Sequence, residues 1–163
     1  MSDQEPLFEA LAGRFPQDGV VTWIGLRPVK RGPVKVVESV EAEPSVGLIG
    51  DHYSGSSGKR HVTLLDAAHL AVIGEHLGQP PVDPALLRRN LLIRGVNLLA
   101  LKDRRFRIGD VELVYTGACH PCDKMELALG PGGWNAMRWH GGIHARVESR
   151  GTIRVGDALS LLD

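Results

Sequence analysis

The segment Cys119-His120-Pro121-Cys122 contains both cysteines of the chain. A thiolate is a nucleophile and a ligand for soft metals, and its pKa falls near positive charge or a helix N-terminus. Residues 123–129 form a predicted short helix that ends at Gly130, so Cys122 is expected at a helix N-terminus, where backbone N–H groups favour an anion. In a reducing compartment this spacing indicates redox, metal or catalytic chemistry rather than a structural disulfide. The polar flanks favour a reactive Cys122 over a buried structural thiol.

A pair of arginines and an amide, Arg88-Arg89-Asn90, lies directly before the apolar segment 91–93. The guanidinium group offers a planar fork of donors to phosphate or carboxylate, and the amide both donates and accepts hydrogen bonds. These residues therefore suit a planar, anionic ligand at the entrance of a strand. A solvated charge pair is the alternative, because Arg-Arg is a common dipeptide.

A stretch rich in glycine and serine, residues 47–60, ends in Lys59 and Arg60. Its small residues permit a loop whose N–H groups turn inward to bind an anion, and the two cations add positive charge. The stretch lacks the Gly-x-x-x-x-Gly-Lys-Ser/Thr pattern of a phosphate-binding P-loop. A plain flexible loop explains the composition equally well, so the sequence leaves both interpretations open.

Residues 130–146 combine glycines with two tryptophans and two histidines. This composition predicts a shaped rim or lid over a pocket. The spacing of His140 and His144 is one that metal ligands use on a helix, but Gly141-Gly142 between them disfavours a helix that would present both. Packing or substrate shaping is therefore the favoured role of this segment.

The elements that must position these residues are mostly short strands. Strands are predicted where β-branched and alternating residues dominate, over residues 20–26, 34–40, 61–65, 91–93 and 111–115. One helix is predicted between a capping Asp66 and a terminating Gly78, and shorter helices over residues 7–14 and 84–88. Two similar turns, Gly109-Asp110 and Gly156-Asp157, each precede an alternating strand and suggest equivalent corners of a barrel.

These elements predict a mainly β fold, a closed or nearly closed β-barrel with a few short flanking helices. The chain of 163 residues suits one domain, with residues 1–18 as an N-terminal arm and residues 19–163 as the barrel. Basic and acidic residues balance at 19 each, which disfavours a nucleic-acid binder. No signal-peptide pattern and no apolar run of membrane length occur, so a cytoplasmic location without membrane association is expected.

Taken in order, several of these segments resemble the MOSC family, named after the C-terminal domain of molybdenum cofactor sulfurases. The resemblance runs from about residue 20 to residue 161. It is carried by seven blocks: Leu26-Arg27-Pro28, Gly47-Leu48-Ile49-Gly50-Asp51, Val62-Thr63-Leu64, Arg88-Arg89-Asn90-Leu91, Phe106-Arg107-Ile108-Gly109-Asp110, Cys119-His120-Pro121-Cys122 and Gly151-Thr152-Ile153-Arg154-Val155-Gly156-Asp157.

The resemblance implies a β-barrel with short helices and one essential cysteine, which corresponds to Cys122. In members that bind the molybdenum cofactor (Mo-molybdopterin), this cysteine ligates the metal. The segment corresponding to Arg88 and Asn90 helps such members to hold the pterin and its phosphate. We therefore expect this cofactor, with Cys122 as catalytic residue and metal ligand. The expected cofactor-binding residues are Arg88, Asn90, Arg60, Asp51, His52, Thr63 and His120.

Such members reduce N-hydroxylated compounds, so we expect a molybdenum-dependent oxidoreductase that acts on N–O or S–O groups of a small molecule. The two cysteines cannot ligate a four-cysteine iron–sulfur cluster, so a separate electron-transfer or sulfur-donor protein is the expected partner. Two alternatives remain open: a persulfide carrier on Cys122, resolved by Cys119, and a non-catalytic carrier of the cofactor. A thioredoxin-like dithiol and a zinc half-site are disfavoured, because the chain has neither a β-α-β lead nor a second cysteine pair.

Overall fold

A computed structural model describes residues 5–53 and 57–162 of the chain. The helices are α1 (Glu5–Ala12), α2 (His69–His76), α3 (Asp123–Leu129) and α4 (Gly133–Met137), with short 3-10 helices at Pro84–Leu87 and Leu98–Leu101. The strands are β1 (Gly19–Leu26), β2 (Lys35–Val37), β3 (Ser39–Glu43), β4 (Gly47–Leu48), β5 (Val62–Asp66), β6 (Leu91–Arg94), β7 (Arg105–Ile108), β8 (Val111–Ala118), β9 (Ile143–Val147), β10 (Gly151–Arg154) and β11 (Ala158–Leu162). Among the described residues, no helix has the length and apolar character needed to cross a bilayer.

Seven strands close into a barrel in the order β11-β7-β8-β9-β5-β6-β1, because β1 pairs back onto β11. Neighbouring strands are antiparallel except β5 and β6, which run parallel and have α2 in the connection between them, as a parallel pair requires. The long strand β1 pairs with β11 at its start, β6 in its middle and β2 at its end. A second sheet, β10-β3-β4, contributes apolar side chains to the main core. The predicted closed β-barrel is confirmed.

Alternation along the strands separates the inside of the barrel from its outer face. In β9, Ile143, Ala145 and Val147 are buried in the main core, so His144 and Arg146 lie on the opposite face. A second apolar cluster lies under the helices and contains Leu65, Ile73, Val82, Leu87, Leu92, Met125, Ala136 and Met137. This cluster fixes α2, α3 and α4 against β5 and β6, and it thereby fixes the start of α3, where Cys122 lies.

Several predicted elements have different boundaries in the structure, and two of these differences change how a strand pairs or where a helix begins. The strand expected over residues 34–40 is two strands, because β2 pairs with β1 in the barrel whereas β3 pairs with β10 in the second sheet. The helix expected to begin after Asp66 begins at His69. The Asp66 carboxylate accepts the N–H of Ala68 at 3.0 Å, so it shapes the turn before the helix instead of capping it.

The two Gly-Asp turns lie side by side. Gly109 and Gly156 both have positive φ, at 57° and 96°. Gly109 donates its N–H to the carbonyl of Ala158 at 3.3 Å, and a side chain at Gly109 would overlap the Asp157 carboxylate. The first turn joins two barrel strands, whereas the second leads from the small sheet into the barrel. The turns are therefore adjacent corners with different connections.

The glycine-rich segment expected to form a rim also supplies a barrel strand, because residues 130–146 contain α4 and β9. Gly142 joins these two elements with φ of 88°. Its carbonyl accepts the N–H of Cys119 at 2.8 Å. A Cβ at Gly142 would overlap the carbonyl oxygen of Leu64 in β5, so only glycine allows this close approach.

Replacing Gly142 with alanine should lower the free energy of unfolding by about 3 kcal/mol, since the methyl group meets backbone in a left-handed conformation. Gly78→Ala is the matched control, because Gly78 also has positive φ (70°) but no atom within 4 Å of the added Cβ. That control should lose only about 1 kcal/mol. Urea denaturation measures both values, and equal losses would contradict a steric role for Leu64.

Candidate functional site

An open cleft lies at the outer face of the barrel beside the start of α3. It has two lobes of about 840 Å³ each, a size typical of small-molecule sites. Both lobes are lined by Arg27, Lys30, His52, Arg60, Arg89 and Cys122. The α3 lobe is further lined by Arg31, Leu87, Arg88, Asp123, Lys124, Met125, Leu127 and Ala128. The barrel lobe is further lined by Tyr53, Thr63, Ala118, Cys119, His120 and His144.

Positive charge is concentrated in this cleft. Its basic lining residues are Arg27, Lys30, Arg31, Arg60, Arg88, Arg89 and Lys124. Asp123 is the one acidic residue that lines it in the described part of the chain. The whole chain has a formal net charge of zero, so the fold creates this basic surface by gathering distant residues. A cleft lined by one sign of charge attracts and concentrates ligands of the opposite sign.

Cys122 lies where the two lobes meet, and its side chain is exposed. As the sequence indicates, it immediately precedes α3, with an extended backbone at φ of −105° and ψ of 175°. Cys119 is buried, and burial raises the pKa of its thiol despite the opposing effect of Arg89. The structure therefore presents one accessible thiol to the cleft and keeps the other protonated and enclosed.

The buried amide of Asn90 holds the wall behind the cleft. Its carbonyl oxygen accepts the backbone N–H of Thr63 at 3.0 Å and the Thr63 hydroxyl at 3.2 Å. Its amide nitrogen donates to the carbonyl of Gly25 at 3.0 Å and to the Asp51 carboxylate at 3.3 Å. Asn90 is 0% exposed, and its side chain is fully engaged within the protein. It acts as a positioning residue for β1, β5 and the loop that carries Asp51.

Asp51 directs Arg27 into the cleft. The carboxylate accepts the backbone N–H of Arg27 at 2.7 Å, its Nε at 3.2 Å and its Nη2 at 3.0 Å. The Asp51 side chain is only 1% exposed, so water screens this bidentate ion pair weakly. The Arg27 carbonyl lies 2.9 Å from Nδ1 of His52, and because a carbonyl only accepts, this nitrogen carries the proton. Nε2 of a neutral His52 is then an acceptor.

The two adjacent arginines are held by backbone carbonyls. Arg88 has a positive φ of 54°, and its Nη1 donates to the carbonyl of Gly32. Burial, and then the nearby Arg27, lower the pKa of Arg88. Arg89 is 7% exposed, and it donates to the carbonyls of Gly141 at 2.8 Å and Leu87 at 2.7 Å. Within the described residues neither guanidinium has an acidic partner in hydrogen-bond contact, so their charge is available to a ligand.

His144 reaches the barrel lobe from β9. Across from it β8 has a bulge, because Tyr115 pairs with Ala145 and Gly117 pairs with His144, which leaves Thr116 unpaired. Burial lowers the pKa of His144 to about 4, and the positive charge of Arg60 adds to the effect. Its Nδ1 is buried and has no hydrogen-bond partner among the described residues. A neutral imidazole with an unpaired nitrogen at a cleft suits a polar group of a ligand.

Comparison with known families matches the MOSC domain to residues 48–160 of the chain. The chain belongs to the MOSC domain family. The resemblance seen in the sequence is thereby confirmed, and the matched region includes Thr63, Arg88, Asn90 and both cysteines. This family is known to bind the molybdenum cofactor. Among curated proteins, none matches the chain significantly.

Solved structures similar to this MOSC domain include three bacterial proteins. The YUAD protein from Bacillus subtilis has a TM-score of 0.77 at 17% identity, over 89% of this chain and 96% of that chain. YiiM from Geobacillus stearothermophilus has a TM-score of 0.70 at 17% identity, over 89% of this chain and 75% of that chain. YiiM from Escherichia coli has a TM-score of 0.69 at 18% identity, over 91% of this chain and 71% of that chain. At these identities the likeness establishes the fold.

Most of the residues expected to form the site line the cleft. They are His52, Arg60, Thr63, Arg88, His120 and Cys122. Asp51 and Asn90 lie behind the wall, where they bind Arg27, Gly25 and Thr63. Of the predicted anion-binding loop, residues 54–56 lie outside the described residues. Gly58 packs against His61 and Arg146, and Thr116 donates to the carbonyl of Lys59, which holds the end of this loop on the barrel.

Sequence reasoning missed the basic residues just after β1. Arg27, Lys30 and Arg31 all line the cleft, and three cations within five positions at the end of a strand were a usable signal. Of the two histidines with metal-like spacing, His144 lines the cleft, whereas His140 packs 4.8 Å from His69 between ring centroids. In the described part of the chain, no three His, Cys, Asp or Glu residues are arranged to hold a metal ion.

Asn90→Ala should lower the free energy of unfolding by about 2 to 4 kcal/mol, because it leaves the buried groups of Thr63, Gly25 and Asp51 without partners. Asn97→Ala is the matched control, since Asn97 is exposed and its side chain makes no cap hydrogen bond. That control should change stability by less than about 0.5 kcal/mol. Chemical denaturation of both variants gives the comparison. A loss at Asn90 no larger than at Asn97 would disprove the role of the amide.

The lowered pKa of His144 gives a pH dependence of stability. The folded value of about 4 lies below the ordinary value of 6.5, so the unfolded chain takes up this proton first as the pH falls. The titration of His144 therefore has no effect on stability above pH 6.5, and it progressively lowers the free energy of unfolding as the pH falls from 6.5 to about 4. His144→Asn should lose less stability than the wild type in this window. Imidazole NMR should give a midpoint near 4 for His144, and a midpoint near 6.5 would refute its burial.

Proposed function

We propose that this MOSC domain binds the molybdenum cofactor and acts as an oxidoreductase on N-hydroxylated or related N–O or S–O compounds. Cys122 is the proposed metal ligand. The observation that carries the proposal is an exposed thiol at the junction of two lobes of a strongly basic cleft. The cofactor has matching chemistry, because it combines a sulfur-ligated metal with an anionic pterin phosphate.

The residues of the cleft fit this group. A thiolate is a soft ligand that suits a molybdenum centre, and Cys122 is the accessible thiol. Along the α3 lobe, Lys30, Arg88 and Lys124 would hold the phosphate, with Arg88 able to offer two parallel donors. Arg60 lies at both lobes and would contact the pterin or its phosphate. The volume of about 840 Å³ in each lobe allows cofactor and substrate to occupy different lobes.

When bound, the cofactor supplies two-electron reduction with removal of the substrate oxygen. In balance, a hydroxylamine R–NH–OH takes up two electrons and two protons and gives R–NH2 and water, with the electrons supplied by a separate electron-transfer protein. The protein chain itself binds and orients the cofactor and the substrate. Thr63 on β5 and His144 on β9 are two of the polar residues that line the barrel lobe, and the lowered pKa of His144 means that it adds no charge there. Asn90 fixes Thr63, and Asp51 fixes Arg27.

The persulfide alternative uses the same accessible thiol. Its resolving step requires Cys119 as a thiolate, and the raised pKa of the buried Cys119 disfavours that step. A carrier that only stores the cofactor needs the same cleft and differs only in turnover. A reducing, cytoplasmic location is part of the proposal, since it keeps both cysteines in the free state in which they occur here.

Protein purified anaerobically from a host that makes the cofactor should contain nearly one molybdenum and one pterin per chain. It should reduce benzamidoxime with a chemical reductant such as reduced viologen. Cys122→Ala should lose most of the metal and all turnover, because it removes the accessible thiol ligand. Cys119→Ala is the matched control and should keep both the metal and the turnover, since Cys119 is buried beside the site.

Other outcomes have definite meanings. Pterin that is retained without turnover, and retained equally by Cys122→Ala, would replace the enzyme with a cofactor carrier. Absence of both metal and pterin in every variant would reject the proposal. Added sulfur on Cys122, seen by mass spectrometry after incubation with a cysteine desulfurase, would then favour the persulfide carrier.

A further inference from the structure

A small aromatic recess opens beside the barrel lobe of the cleft. Its volume is about 180 Å³, and it is lined by His120, Pro121, Trp134, Arg138 and Trp139. His120 lines both the recess and the barrel lobe, and Pro121 directly precedes Cys122 in the chain. The recess is therefore continuous with the surroundings of the accessible thiol.

Trp134 forms a rigid side of this recess. Its indole Nε1 donates to the carbonyl of Pro121 at 3.1 Å. Its backbone N–H and that of Gly132 donate to the Glu126 carboxylate at 2.9 Å and 2.7 Å, and these bonds lower the pKa of Glu126. The Arg138 guanidinium lies 5.1 Å from the centre of the indole ring. Trp134 is thus fixed from both its backbone and its side chain.

Trp139 also lines the recess, and it is the more exposed of the two tryptophans. Its side chain is 64% exposed, although burial of such a large aromatic group is favourable. Its backbone has φ of 67°, a left-handed conformation that bulky residues rarely adopt. The His120 ring meets the Trp139 indole edge-on, with 5.5 Å between centroids and 81° between planes. A strained residue that presents an exposed indole beside a cleft is typical of a binding site.

The dimensions of the recess match one aromatic ring. An apolar cavity of roughly 150 Å³ is large enough for benzene, so about 180 Å³ accommodates one flat ring with a small substituent. Polar residues, His120 and Arg138, bound the recess closely, whereas a protein-docking surface needs a wider apolar area. Indole faces bind flat rings by offset or edge-to-face contact.

We propose that the recess between Trp134 and Trp139 receives an aromatic ring of the substrate while the N–O group of the same molecule lies beside Cys122. The domain therefore prefers aryl over alkyl N-hydroxylated substrates, and Trp139 determines this preference. This inference rests on the proposed function, since it names the substrate class of that site.

The test compares benzamidoxime with acetamidoxime as substrates of the cofactor-loaded protein. Trp139→Ala should lower kcat/KM for benzamidoxime about tenfold, mainly through KM, and should change that for acetamidoxime less than about twofold. Trp139→Phe should retain most of the aryl preference, because it keeps an aromatic face. Phe8→Ala is the matched control, since Phe8 is 61% exposed and lines neither the cleft nor the recess. Equal losses for both substrates would overturn the inference.

A binding measurement separates this inference from the proposed function. In a Trp23→Phe background only Trp134 and Trp139 remain, so their fluorescence reports on the recess. Benzamide, a neutral and unreactive aromatic analogue, should quench this fluorescence saturably, and acetamide should not. Quenching without any turnover would reject the proposed reaction and keep the recess as an aromatic site. Turnover without quenching, and with an unchanged substrate preference in Trp139→Ala, would reject the recess and keep the reaction.

Discussion

The cleft depends on one buried amide, that of Asn90. Its four side-chain hydrogen bonds join Thr63, Gly25 and Asp51, which lie on β5, on β1 and in a loop. Strand pairing alone does not fix the loops beyond the strand ends, but the amide ties this loop to the barrel and so sets the position of Arg27 through Asp51. Because a buried polar group without a partner is costly, each of these bonds constrains the others. The wall behind the cleft is consequently rigid.

The arrangement of the cations depends on this rigid wall. Arg27 has an acidic partner, but Arg88 and Arg89 donate only to backbone carbonyls within the described residues. Carbonyl partners orient a guanidinium without neutralising it. The lowered pKa of Arg88 shows that burial and neighbouring positive charge disfavour its charged form. An anion in the cleft would offset the repulsion between these positive charges, so the cleft favours a negatively charged ligand.

The sequence predicted the parts of this structure that depend on local chemistry. The barrel was predicted from alternating β-branched strands, and the accessible Cys122 from a cysteine placed before a short helix ended by glycine. The sequence could not predict features created by tertiary contact. Strand β9 lies in a segment rich in glycine, and the bulge at Thr116, which pairs Gly117 with His144, arises only where β8 meets β9. The split of residues 34–40 depends on pairing with two different sheets.

Backbone strain is concentrated around the cleft and the recess. In the described chain, four residues other than glycine have positive φ: Arg31, Arg88, Asp103 and Trp139. Three of them line these two depressions. Each such conformation costs about 1 to 2 kcal/mol, and a fold selected for stability alone would place glycine or asparagine there. At Arg88 the left-handed backbone ends a 3-10 helix, and the side chain lines the α3 lobe. Glycine at this position would adopt the conformation without strain but would remove the positive charge from the lobe. Three of the four strained residues therefore line the cleft or the recess, where strain of this kind is often linked to function.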